Sequence, residues 1–127
     1  ATAQYVSLGG IAGPNNGCIA NCAALNSNIS GNDGQTNTRI HRITGNTGGI
    51  IVYNYASATL SASGDKGRDK PDGADCDAKP AASWWKEPGR WANSYTTPAG
   101  DTYSLTPWDF GTTWEVTDGN LPVLLRK

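Results

Sequence analysis

Five aspartates fall within one short stretch, at Asp65, Asp69, Asp72, Asp75 and Asp77. Carboxylates at that density could converge on a hard cation such as calcium, which takes six to eight oxygen ligands. Asp69, Asp72, Asp75 and Asp77 are the candidate metal ligands. The spacing is not that of an EF-hand, because the Asp-x-Asp-x-Asp-Gly core is missing and no Glu closes the loop. Lys66, Arg68, Lys70 and Lys79 are interleaved with the acids, so a solvated mixed-charge loop is the simpler account.

Other chemistry is thinly supplied. His41 is the only histidine and sits in an Arg-flanked, strand-like run, where an exposed structural role is expected. No G-x-S-x-G elbow, P-loop or H-E-x-x-H occurs. Glutamate is found only at Glu87 and Glu115, so paired carboxylates for glycoside hydrolysis would need an aspartate partner. An enzyme would require Asp75, Asp77, Glu115 and His41 to converge in one cleft, and the expectation is a protein without catalytic activity. Three cysteines cannot all pair within one chain. On an extended segment Cys18 and Cys22 would be ~13 Å apart, whereas a bridge needs Cα atoms within ~7 Å. A turn between them removes that objection, as does a bridge from Cys76 to Cys18 or Cys22; Cys22–Cys76 is the candidate disulfide. The alternative is that Cys18 and Cys22 are small buried apolar residues.

All five tryptophans lie in the last third of the chain. Trp84, Trp85, Trp91 and Trp108, with Tyr95 and Tyr103, could stack on sugar faces; Trp84, Trp85, Trp91 and Tyr103 are the candidate glycan platforms. They could equally form a small core that seals a repeat stack. Trp108, Phe110 and Trp114 recur at even spacing, which puts them on one side of a strand and favours burial. Asn28 opens the only Asn-x-Ser/Thr sequon, a glycosylation candidate on a surface loop.

Charge and hydropathy narrow the partners. The formal net charge is −1, from 10 basic and 11 acidic residues, and no basic stripe supports nucleic-acid binding. The longest apolar run, Ile50 to Tyr53, is far too short to cross a bilayer. With 16 Gly, five Trp, five Tyr and 17% charged residues, the chain reads as folded and turn-rich, not disordered. Its length suits a single domain over 1–127. Ala1-Thr2-Ala3-Gln4 has no apolar signal core, as in an already cleaved chain. The absence of Met, few lysines and three cysteines lean towards an extracellular location.

What must position these residues is a phrase written twice. Gly13-Pro14-Asn15-Asn16-Gly17-Cys18-Ile19-Ala20-Asn21-Cys22-Ala23 returns as Gly45-Asn46-Thr47-Gly48-Gly49-Ile50-Ile51-Val52-Tyr53-Asn54-Tyr55-Ala56. Gly13 and Gly45 are 32 positions apart, but Asn21/Asn54 and Ala23/Ala56 are 33 apart, which implies one inserted residue. Self-similarity at this period is the mark of stacked repeats that bury their apolar faces against each other. Short strands are expected at Tyr5–Leu8, Cys18–Leu25, Thr38–Ile43 and Ile50–Tyr55, with a bulge or corner near Ile40-His41-Arg42-Ile43. Ile11, Ile19, Leu25, Ile43 and Val52 are the expected inner face.

The run from Gly9-Gly10-Ile11-Ala12-Gly13 through Cys18-Ile19-Ala20-Asn21-Cys22 resembles the GLUG-type repeat of bacterial surface proteins. The second copy is similar in its later half, with Arg42 standing where a glycine pair belongs. The Trp84-Trp85, Trp108-Asp109-Phe110, Trp114-Glu115 and Leu121-Pro122-Val123-Leu124 segments resemble the close of such arrays in secreted and cell-surface proteins of Bacteroidota. The resemblance implies an all-β, right-handed β-solenoid-like repeat stack: two repeats over 1–60, a charged loop over 61–82, and a Trp-rich C-terminal cap over 83–127. It further implies a non-enzymatic, secreted or cell-surface structural or adhesive protein, a filament subunit or terminal adhesin module. Its partner would be another copy of itself or a larger surface protein. The alternative expectation is a carbohydrate-binding module. Calcium is the only cofactor the sequence suggests.

Overall fold

The computed structural model describes residues 6–9, 11, 17–26, 38–45, 49–60 and 66–125. Apart from one helical turn, every regular element among them is a strand, and the fold is all-β. The chain forms two compact units, Ala1–Ala78 and Lys79–Lys127. The boundary falls inside the segment that the sequence marks as a charged loop.

In the first unit, β1 (Val6–Gly9), β2 (Cys18–Ala20) and β3 (Ala23–Ala24) are followed by β4 (Thr38–His41), β5 (Ile50–Val52) and β6 (Tyr55–Ser57). β1 pairs with β4, β2 with β5 and β3 with β6, all parallel. Val6 faces Thr38, Cys18 faces Ile50 and Ala23 faces Tyr55, each time 32 residues further on. Parallel neighbours need a long crossover, and the recurring phrase supplies it. Ile19 over Ile51 and Ala24 over Ala56 bring like side chains into register. A seventh strand, β7 (Ala74–Cys76), adds to β6 after a shorter step, with Tyr55 facing Ala74. Nothing in Ala74-Asp75-Cys76 favours a strand; pairing with β6 imposes it on what the sequence marks as loop.

The expected one-residue insertion is absent from the pairing. Asn21 corresponds to Tyr53, not to Asn54, and both kink the chain with φ 54. Asn accepts that left-handed conformation readily, whereas Tyr adopts it rarely. The kinks split the expected strands into β2/β3 and β5/β6. Asn54, one residue past its kink, is fully buried. Its Nδ2 donates to the Ile19 carbonyl at 2.9 Å, and its Oδ1 accepts from the Cys22 N–H at 3.0 Å. One side chain thus satisfies backbone groups on both sides of the Asn21 corner, where a sheet ladder cannot.

Ile19, Ala24, Ile43 and Ala56 form the buried apolar cluster, with Cys22 packed against it. Val52 is also buried, but Ile11, expected inside, is 43% exposed. So small a cluster leaves much of the interior to polar groups: Arg42, Thr44, Asn54, Ser57 and Asp72 are all fully buried. Gly73 has φ +68, and a Cβ there would meet Ile43 Cγ1 at 2.8 Å. Gly73→Ala combines a disfavoured left-handed residue with overpacking and should cost about 2–4 kcal/mol, read as a lowered urea midpoint.

In the second unit, α1 (Ala82–Trp85) is followed by the antiparallel pair β8 (Ser94–Thr96) and β9 (Thr102–Ser104). A second antiparallel pair, β10 (Trp114–Glu115) and β11 (Val123–Leu124), follows. The N-cap of α1 is Ala81, which has no capping side chain. Asp118 does that work from a distance, accepting the Ala82 N–H at 2.7 Å. No helix among the described residues is long and apolar enough to cross a membrane.

Candidate functional site

The aspartate run does not gather round a cation. Among the described residues no group of three or more His, Cys, Asp or Glu is arranged to hold a metal; Asp65 lies outside them. Asp69 and Asp77 are exposed, while Asp72 and Asp75 turn to Arg42 instead. That guanidinium is fully buried, and four of its five N–H donors are matched to acceptors. Its Nε donates to the Asp72 carbonyl at 2.9 Å, Nη1 to the Ser57 carbonyl at 3.0 Å, and Nη2 to the Gly73 carbonyl at 3.0 Å. Nη1 also meets Asp75 Oδ1 at 2.6 Å, and the Arg42 backbone N–H donates to Asp72 Oδ1 at 3.0 Å. Asp72 Oδ2 lies 3.2 Å from Nε, an ion-pair distance without hydrogen-bond geometry.

The five-donor guanidinium thereby ties the turn after β4, the end of β6 and the entry to β7 into one knot. Lys66 completes it from outside, 3.2 Å from Asp75 Oδ2. The Arg42 hydrogen bond holds the Asp75 carboxyl below its ordinary value of 3.8, against the opposing pull of desolvation. The network is a scaffold, not a reactive centre: its charges are paired and Asp72 is sealed from solvent.

The Cys22–Cys76 bridge is not formed, and none of the three cysteines is in a disulfide. The register explains why. Ala24 faces Ala56 and Ser57 faces Cys76, so Cys22 and Cys76 stand two strands apart and three residues out of step. That is roughly 10 Å across and 10 Å along, beyond the ~7 Å that a bridge spans. Cys22 instead donates its thiol to the Ala20 carbonyl at 3.1 Å, and burial pushes the Cys18 and Cys22 thiols up. Raised thiols are poor nucleophiles and poor metal ligands. A thiol assay on denatured, non-reduced protein is expected to count three; a count of one would restore a bridge.

His41 ends β4 half-buried, and its buried Nδ1 has no hydrogen-bond partner among the described residues. Of the other groups an enzyme would need, Asp75 and Asp77 belong to the first unit and Glu115 to the second. Asn28 and Tyr5 lie outside the described residues.

The aromatic candidates are partly brought together. Trp84, Trp85 and Trp91 pack with Trp108, Phe110 and Trp114 into one cluster. Trp85 is its centre, 2% exposed, and Trp91 donates its Nε1–H to the Trp85 carbonyl at 2.9 Å. Burial removes Trp85 and Trp91 as open platforms. Trp84 is covered by the Arg90 guanidinium, 4.3 Å from the ring centre, which also donates to the Trp84 carbonyl and pairs with Glu87. Tyr103 is 45% exposed but stands on β9 opposite Tyr95, away from the cluster's groove. Trp114 joins the cluster through a turn, not as the third residue of one strand. Gly111 has φ 126, and the Trp114 N–H donates to the Asp109 carbonyl at 2.9 Å.

Beside the cluster is a groove of about 370 Å³ lined by Trp85, Trp91, Trp108 and Phe110, with Lys86, Glu87, Pro88 and Asp109 among its other residues. Sequence reasoning named Trp108 as an aromatic of interest, but not Phe110 or the neighbouring carboxylates as site residues. The signal available was the aromatic–acid–aromatic triplet Trp108-Asp109-Phe110. Comparison with known proteins finds no matching family, no matching characterised protein and no matching solved structure.

Proposed function

We propose that this chain is a non-enzymatic structural and adhesive module of a secreted or cell-surface protein. In this reading the first unit is a short solenoid-like stack of GLUG-type repeats that self-associates or extends a larger surface protein. The observation that carries it is the single parallel offset: three strand pairs share one 32-residue step, so each layer is a template for the next. β7 is the last strand of its sheet. Ala74 donates to the Asn54 carbonyl, and the Cys76 carbonyl accepts from Ala58. In a parallel ladder the intervening residue, Asp75, then turns its own backbone groups outward. Such an edge accepts a strand from another chain, and a head-to-tail contact of that kind propagates. Burial of Arg42, Asp72 and Asn54 in paired, internal roles fits a display function better than chemistry.

Light scattering followed by negative-stain electron microscopy tests the reading. Regular assemblies are expected, shortened or lost in Asp75→Pro, which removes the outward N–H of the β7 edge, whereas residues 6–9, the expected donor, are already paired with β4. A monomer near the 13.3 kDa chain mass at every concentration would sink self-association, and assembly unchanged in Asp75→Pro would sink strand addition at β7.

A further inference from the structure

We infer that the exposed Arg68 guanidinium, seated on the strained Tyr53 ring and followed by Asp69, is a binding site for a uronate residue of an acidic polysaccharide. This gives the adhesive part of the proposed function a ligand and rests on that reading, but not on self-assembly.

The corner of the second layer carries a residue that suits it poorly. Asn21 and Tyr53 hold equivalent places one step apart, both with φ 54. Asn tolerates that conformation, whereas a bulky ring there is strained. A residue held against its preference marks a place to look for function. Tyr53 is half-buried, and Arg68 Cζ lies 4.4 Å from its ring centre. Arg68 also makes a side-chain hydrogen bond to the buried Tyr55, which pushes its pKa further above the ordinary value. Its backbone is held as well. The Arg68 carbonyl accepts the Asn54 N–H at 2.9 Å, the Gly67 N–H donates to the Gly73 carbonyl at 3.0 Å, and the Gly73 N–H donates to the Lys70 carbonyl at 3.0 Å. The cation is fixed before any ligand arrives.

What is fixed is also unmatched. The guanidinium has five N–H donors, is exposed, and joins no ion pair among the described residues. Arg42 and Lys66 differ in this respect, since Asp72 and Asp75 answer their charges. With one face against Tyr53, the Arg68 fork meets a ligand edge-on, the approach that suits the two oxygens of a planar carboxylate. The next residue selects among anions. Asp69 is exposed and close enough to act on the Arg68 charge. A nucleic acid or an acidic peptide, dense in negative charge, would meet that carboxylate as repulsion. A uronate carries its carboxylate on a ring that also bears hydroxyl donors, which Asp69 can accept. A cation followed by an acid thus matches both groups of a sugar acid. A single exposed ion pair contributes little, so affinity per uronate is expected in the millimolar range, as suits a module displayed in many copies.

The test is titration of the full chain with trigalacturonate, neutral maltotriose, triglutamate and a DNA trinucleotide, followed by saturation-transfer NMR, which reads weak binding to a monomer or an assembly alike. Saturable binding of trigalacturonate is expected at millimolar concentration, with none of maltotriose. Arg68→Gln and Asp69→Asn should each weaken it about fivefold or more; both side chains are exposed, so circular dichroism should match the parent. Tyr53→Asn restores the residue type of the first corner and should keep the fold while weakening binding, which a purely structural Tyr53 would not do. The proposal is overturned if trigalacturonate fails to bind, if Arg68→Gln binds it as well as the parent, or if triglutamate or DNA binds as tightly. Tighter trigalacturonate binding by Asp69→Asn would also overturn it, since that is the mark of general attraction for anions. Absence of uronate binding with assemblies still present would remove this site and leave the structural reading standing.

Discussion

Arg42→Met is expected to cost about 3–5 kcal/mol, the loss seen when one partner of a buried ion pair is removed. A small domain has only about 5–15 kcal/mol to lose, so the first unit should be largely unfolded in mild denaturant. The size of the effect comes from what is left behind. Asp72 would remain a fully buried carboxylate without a cation; the Asp72 carbonyl would lose the Arg42 donor, and the Ser57 and Gly73 carbonyls would keep only the Leu60 and Gly67 N–H groups. Arg42→Lys keeps the charge but not the fork, and one ammonium cannot reach three carbonyls and two carboxylates. It should recover only part of the loss. Urea unfolding followed by far-ultraviolet circular dichroism measures all of this, and a parent-like midpoint for Arg42→Met would refute the scaffold role. Acid acts on the same knot. Because Arg42 depresses Asp75, the stabilisation is complete above the ordinary carboxylate value and is lost as pH falls through the lower folded value. Exposure of the Asp75 side chain, 46%, keeps that contribution modest.

Trp85→Ala should be as damaging in the second unit, at about 3–5 kcal/mol for a fully buried aromatic. Trp84, Trp91, Trp108 and Phe110 all pack on its ring, and a unit this short has little other core with which to close the cavity. Every tryptophan belongs to this unit, so emission reports on it alone. A red shift of the emission, with loss of aromatic circular dichroism, is the expected signature. An unshifted spectrum in Trp85→Ala would mean that the cluster holds without its centre.

What the sequence discloses follows from the range of each signal. Short alternating runs are local, so the β1, β2, β4 and β5 positions were legible, as was the corner near Ile40–Ile43, where the chain bends at Arg42 and Ile43. The Gly13/Gly45 spacing of 32 matches the strand offset. Asn21 and Asn54 misled because like letters need not occupy like positions. Asn54 does not kink the chain; it reaches back to the layer of Ile19 and Cys22. Arg42 was visible only as a departure, a charged residue where glycine was expected. Its partners lie 30 and 33 residues away, and no local pattern links them. The aspartates suggested a cation because sequence shows their number but not their directions. In the aromatic third, crowding was plain, but which faces remain open depends on the Gly111 turn and on Arg90, neither of which periodicity encodes.

The matched kinks at Asn21 and Tyr53 bear on how such a chain can lengthen. Because every pairing from β1 to β6 is displaced by the same amount, a tandem gene duplication in multiples of that length would lay down another layer with its corner already in place. No existing hydrogen bond between strands would need a new partner. The shorter step to β7, 19 residues from Tyr55 to Ala74, breaks that arithmetic. A copy spliced after it would start out of phase with the 32-residue step. A duplication that keeps the register is therefore one placed upstream of β7, whereas a strand added at β7 itself has to bring its own register, as one from a second chain would.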